Sequence, residues 1–171
     1  MPETAVAGDL LYVEEQRTSP GVELFTVAAG VLAVGGGAIA AAAKGQLASA
    51  APGLLIGAAV IAGVTVMIHN TRLRTRVSTV EAVITYRPWA TVRIPGTEIA
   101  AVAPRRFGLF SGGIGYHVGR GSVALTARTG DGVLVTRTDG RRVLIGTQHP
   151  DALYSALLRL HAIARSSRPE A

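Results

Sequence analysis

Two uncharged apolar blocks, Leu24 to Ala43 and Leu47 to Ile68, constrain the fold more than any other feature of this sequence. A bilayer core of about 30 Å takes about 20 apolar residues of helix, and each block reaches that length. Only the insert Lys44-Gly45-Gln46 divides them. The pattern predicts a transmembrane hairpin over residues 22–70, with spans at about 24–43 and 50–69. A cleaved signal peptide fits poorly, because Glu3, Asp9, Glu14, Glu15 and Glu23 precede the first block against the single base Arg17, and a signal peptide needs a positive leader. A buried helix pair in a soluble protein would need more chain to cover it than the roughly hundred residues that remain. One long span is opposed by Pro52, Gly53 and the Lys44 insert.

Small residues mark both spans. Ala29, Ala33, Gly37 and Ala41 recur at four-residue spacing, and Gly53 and Gly57 form a second such pair. Stripes of this kind let helix backbones approach closely, whether within one hairpin or between copies. Arg17 precedes the first span and Arg72, Arg74 and Arg76 follow the second, so the positive-inside rule places both termini in the cytoplasm of a multi-pass inner-membrane protein. Within the spans only Thr26, Ser49 and Thr65 interrupt the apolar run, which leaves no ionisable relay for transport.

Composition changes at Thr71. Of the 16 arginines, 15 lie beyond it, against only Glu81, Glu98, Asp131, Asp139, Asp151 and Glu170. The overall net charge of +6 therefore conceals a basic half beside an uncharged one. With no cysteine, disulfides and thiolate chemistry are excluded. Alternation predicts strands at Arg72 to Val77, Ala82 to Tyr86, Ala90 to Ile94, Glu98 to Ala103, Ser122 to Thr129, Val133 to Thr138 and Arg141 to Thr147. Gly130-Asp131-Gly132 and Asp139-Gly140 read as hairpin turns, which makes the last three strands an antiparallel meander. Pro150 to Arg165 reads as a helix with Leu153, Leu157, Leu160 and Ala164 on one stripe, and 166–171 as a tail.

The expected fold class is thus an α+β membrane protein: an N-terminal cytoplasmic segment 1–21, the hairpin 22–70, and a basic β domain 71–165 closed by a helix. This order of elements resembles the bacterial two-span membrane proteins that carry a pleckstrin-homology-like (PH-like) domain. The pieces that carry the likeness are Glu14-Glu15-Gln16-Arg17, Ile94-Pro95-Gly96-Thr97-Glu98-Ile99, Gly112-Gly113-Ile114-Gly115-Tyr116, Gly119-Arg120 and Asp139 through Gln148. Ile114 stands where an aromatic is common in that group, and Val123 to Thr129 replaces an asparagine-rich stretch. The resemblance implies a PH-like barrel tethered to the membrane and assigns no activity.

Candidate sites are few. The glycine-rich stretch with Gly112, Gly113, Gly115, Tyr116 and His117 is not a phosphate loop, since strands flank it and no Gly-Lys-Ser/Thr follows; a loop or interaction surface is the alternative. Arg105, Arg106 and Arg120 could meet an anionic headgroup, and Arg72, Arg74 and Arg76 a membrane surface. Tyr86 and Trp89 read equally as core or as interfacial residues. His69, His117, His149 and His161 have no metal-ligand spacing, no paired carboxylates suggest acid–base work, and no cofactor motif occurs. The sequence leads to a non-enzymatic module that binds a protein partner or its own copies, with an anionic lipid surface as the alternative. Nucleic acid is disfavoured, because the basic strands lack interleaved aromatics.

Overall fold

A computed structural model describes residues 8–108, 115–119 and 121–167. It has two long apolar helices, two β-sheets and a C-terminal helix. The chain divides into two compact units, Thr18–Thr71 and a second made of the residues up to Arg17 together with those from Arg72.

In the first unit, α1 (Pro20–Ala43) and α2 (Leu47–Asn70) each have 24 residues, or about 36 Å at 1.5 Å per residue. Both are long and apolar enough to cross a membrane. Pro20 opens α1 in the first turn, where its missing N–H is no loss. The helix stops because Gly45 takes φ +65°, letting the Gln46 N–H reach the Ala41 carbonyl at 2.8 Å and the Gly45 N–H reach that of Ala42 at 3.0 Å. Helix α2 starts at Leu47, earlier than the pattern suggests, so Pro52 lies inside it. Thr26 and Thr65 bond the carbonyls of Val22 and Ile61 four residues back, which satisfies both hydroxyls. At the open end of the hairpin, His69 Nδ1 lies 3.6 Å from Glu23 Oε2.

The helices meet along a stripe that shares Gly37 with the four-residue series but departs from it at Ala29 and Ala33. Gly30 is buried, and a Cβ there would stand 2.4 Å from Ile61 Cγ2. Gly37 faces Leu54 and Gly57 faces Val34, while Ala29 and Ala33 are exposed. Gly30→Leu is therefore expected to push the helices apart, at a cost of about 1–3 kcal/mol for overpacking. Cysteines placed at Val34 and Gly57 should form a disulfide in the native background and fail to form it alongside Gly30→Leu. Equal crosslinking in both would refute this packing.

The second unit begins before the helices. Residues 10–17, read from sequence as part of a separate N-terminal segment, form strand β1 (Leu10–Arg17), which pairs antiparallel with β2 (Arg72–Ser78). Alternation explains this: Glu14 and Gln16 are buried on one side while Val13, Glu15 and Arg17 are exposed on the other. Strands β3 (Glu81–Arg87) and β4 (Ala90–Pro95) complete a sheet in the order β1-β2-β3-β4. On β2, Leu73, Thr75 and Val77 are buried and the arginines face outward, as the alternation predicts. Tyr86 is a core residue at 4% exposure, whereas Trp89 is 54% exposed.

The second sheet runs β5-β8-β9-β7-β6, built from β5 (Ile99–Phe107), β6 (Gly115–Gly119), β7 (Ser122–Thr126), β8 (Gly130–Arg137) and β9 (Arg142–Gly146). The expected meander is corrected here, because β7 pairs parallel with β9 and does not touch β8 in the ladder. Gly130-Asp131-Gly132 is not a turn but the start of β8. A Cβ at Gly132 would come 2.6 Å from the Ile145 carbonyl oxygen, so this glycine serves close strand approach. Asp139-Gly140 does join β8 to β9, with Gly140 at φ +81°. Glycine-rich sequence likewise concealed β6, while Gly112, Gly113 and Arg120 lie outside the described residues.

Helix α2 is followed, after the two sheets, by α3 (Pro150–Ser166), which packs against β1 and β2 of one sheet and β5 and β8 of the other. It inserts Leu153, Ala156, Leu157 and Leu160 among Leu73, Ile84, Ile94, Val133 and Ile145, so one core lies between the sheets with the helix across it. Gly96 leaves room for Leu160, whose Cδ1 would lie 2.7 Å from a Cβ there.

Candidate functional site

Outward-facing residues of the first sheet bring together arginines that are far apart in sequence. Register aligns Arg17 with Arg72 and Arg72 with Arg87 across three strands, and Arg74, Arg76 and Arg93 occupy the same face. Against these six stand Glu15, 3.0 Å from Arg72, and Glu81, 3.0 Å from Arg93. Of the expected membrane-surface residues, Arg72, Arg74 and Arg76 thus belong to one basic face. Arg17, Arg87 and Arg93 join it through strand pairing, which single-strand alternation does not reveal.

Arg105 and Arg106 lie on β5 in the other sheet and are not part of that face. Arg106 pairs with Asp131 at 3.2 Å. Arg105 borders a shallow concavity of about 380 Å³ on the outer side of the second sheet, with His117, Ser122 and Arg142 around Leu134 and Leu144. Register places Leu134, Leu144, Ala124 and His117 in one row, which is why an apolar floor runs to the histidine. Gly115 takes φ +127° and Tyr116 is 39% exposed.

A second concavity, of about 490 Å³, lies between the edge strand β4 and the paired strands β6 and β7. Val92, Val123 and Val143 line it together with Arg93, Arg137 and Arg142. Glu98 engages Arg137, and Asp139 stands 3.5 Å from the neighbouring Arg141. Arg142 has no carboxylate partner among the described residues. The Asp139-Gly140-Arg141-Arg142 run was readable as a turn; its basic role depends on β4 standing opposite.

The most connected polar group is a brace rather than a binding site. Glu14 Oε2 accepts from the hydroxyls of Tyr12 and Thr147, both at 2.6 Å, and Oε1 accepts from the Gln148 N–H at 2.9 Å. Two residues along β1, Gln16 Nε2 donates to the Gly146 carbonyl at 2.9 Å. The brace joins the first sheet to the end of β9 and the start of α3. Burial, and next the bond donated to Glu14, push the Tyr12 phenol well above its usual range. Among the described residues no three His, Asp or Glu side chains gather as a metal site would require. No family model, curated protein or solved structure matches the chain.

Proposed function

We propose that this chain is a membrane-anchored, non-enzymatic binding module: two spans hold a PH-like domain at the cytoplasmic face of the inner membrane, where it takes a protein partner or a second copy. The observation that carries the reading is the edge strand β4, which among the described residues pairs only with β3, beside the 490 Å³ concavity. An edge strand offers free backbone groups to an incoming strand, and the valines and Arg142 beside it suit an apolar segment with acidic character. Ala29 and Ala33, left uncovered by the hairpin's own packing, suit self-association in the bilayer.

The native chain lacks cysteine, so single cysteines test both parts. A Gln46→Cys variant should react with an impermeant maleimide from the outside, and an Asp139→Cys variant only after the membrane is opened. With a photocrosslinker at Thr91→Cys on β4, discrete protein adducts are expected in intact membranes, and none from Arg159→Cys on α3. Adducts from neither position would count against partner binding. The second reading, contact with anionic lipid, is favoured by the basic outer face of the first sheet, since clustered arginines near an anionic leaflet attract it.

A further inference from the structure

We propose that the β3–β4 turn carrying Trp89 is an interfacial anchor that seats in the anionic headgroup layer of the membrane crossed by the chain's own helices. The inference rests on α1 and α2 being spans and deepens the lipid reading by naming the part of the surface that touches lipid. Three observations converge on it.

The first is topological. Strand β1 ends at Arg17 and only Thr18 and Ser19 precede α1; Thr71 alone separates α2 from β2. One residue extends at most about 3.6 Å, so the end of β1 and the start of β2 are each tied to a helix by no more than two residues of chain. Arg87 is in register with Arg72, which pairs with Arg17, and therefore the β3–β4 turn lies at the same end of the sheet as both chain exits.

The second is chemical. Trp89 is the single tryptophan of the chain and is 54% exposed, whereas Tyr86, three residues earlier, is buried in the core. A bond from the backbone N–H of Trp89 to the Tyr86 carbonyl at 2.8 Å closes the turn that carries the indole. Burying so large a side chain would be favourable in the core, yet it stays outside. An indole has an apolar body and one N–H donor, which suits the boundary between acyl chain and headgroup.

The third is charge. Arg17 and Arg87 are exposed and have no carboxylate partner among the described residues, and the Arg72 between them pairs with Glu15. The row beside Trp89 is thus cationic, complementary to phosphate diesters of an anionic leaflet. Protein partners of the domain need no such position.

Because Trp89 is the only indole, its fluorescence in the full-length protein reports on this turn alone. In vesicles of phosphatidylglycerol and phosphatidylethanolamine, its emission should be blue-shifted, shielded from acrylamide, and quenched most by lipids brominated close to the headgroup. Arg17→Gln with Arg87→Gln should weaken that quenching, since each arginine near an anionic surface favours contact by about fivefold. Water-like emission open to acrylamide would overturn the anchor, as would a blue shift without brominated-lipid quenching, which would put Trp89 inside a protein contact. Quenching unchanged by the paired substitutions would overturn the role of the arginines. Resistance of the same sample to alkaline extraction tests the spans separately, so a lost anchor in an extraction-resistant protein leaves the membrane reading standing.

Discussion

Replacing Glu14 with alanine is expected to destabilise the β domain by about 3 kcal/mol, because hydrogen bonds to a charged group contribute about 1.5–3 kcal/mol each and the losses are not additive. The Tyr12 and Thr147 hydroxyls and the Gln148 N–H would all lose their acceptor at once. Glu14→Gln should cost less, since the amide oxygen can still serve part of the set while its NH2 group faces the remaining donors. Glu15→Gln, on the exposed side of the same strand, is expected to stay within about 0.5 kcal/mol. Denaturant unfolding of the full-length protein in detergent, followed by near-UV signal from the domain, measures all three. Equal effects at positions 14 and 15 would mean that β1 does not brace the sheets.

The same brace gives an alkaline signature. Burial raises the phenol pKa of both Tyr12 and Tyr86 above the ordinary value. A group whose folded-state pKa is raised contributes stability that is complete below its unfolded pKa of about 10 and is lost as pH climbs toward the folded one. The domain should therefore weaken above about pH 10, and Tyr12→Phe should flatten that decline relative to its own neutral-pH stability.

Period and length made the two long apolar helices and most strands of this fold legible in sequence. Twenty uncharged residues in a row have few physical uses, and Arg72 to Val77 shows its two faces by alternation alone. What escaped depends on pairing between distant segments. Leu10 to Arg17 alternates too, but its polar inward residues Glu14 and Gln16 hide the core-facing pattern, because their partners at residues 146–148 lie on the far side of the hairpin. Gly132 carries no mark in sequence to distinguish a turn glycine from one pressed against the Ile145 carbonyl. The basic face was half visible for the same reason: Arg72, Arg74 and Arg76 are adjacent on one strand, whereas Arg17, Arg87 and Arg93 reach it only through the ladder.

That pairing makes the hairpin an insertion within a β domain rather than a leader in front of one, and leads to the prediction with the largest effect. A fragment starting at Arg72 is expected not to fold. It would lose the ladder on β2, the packing of Leu11 and Tyr12 on the core, and the whole Glu14 and Gln16 brace. Leu11 and Tyr12 are partly buried and contribute less than the about 1.5–3 kcal/mol of full burial, but with the ladder and the brace lost as well the combined loss is comparable to the 5–15 kcal/mol that stabilises an ordinary domain. Because Arg17 and Arg72 are direct partners, residues 8–17 joined to 72–167 through Asn-Gly in place of 18–71 would form a continuous β-hairpin, with a turn whose positive φ angles those two residues accept. This water-soluble chain should show one cooperative thermal transition and dispersed amide resonances, while residues 72–167 alone should show neither. A folded 72–167 fragment would refute the structural role of β1. An unfolded joined chain would mean that the two hairpin ends are not side by side in the native sheet.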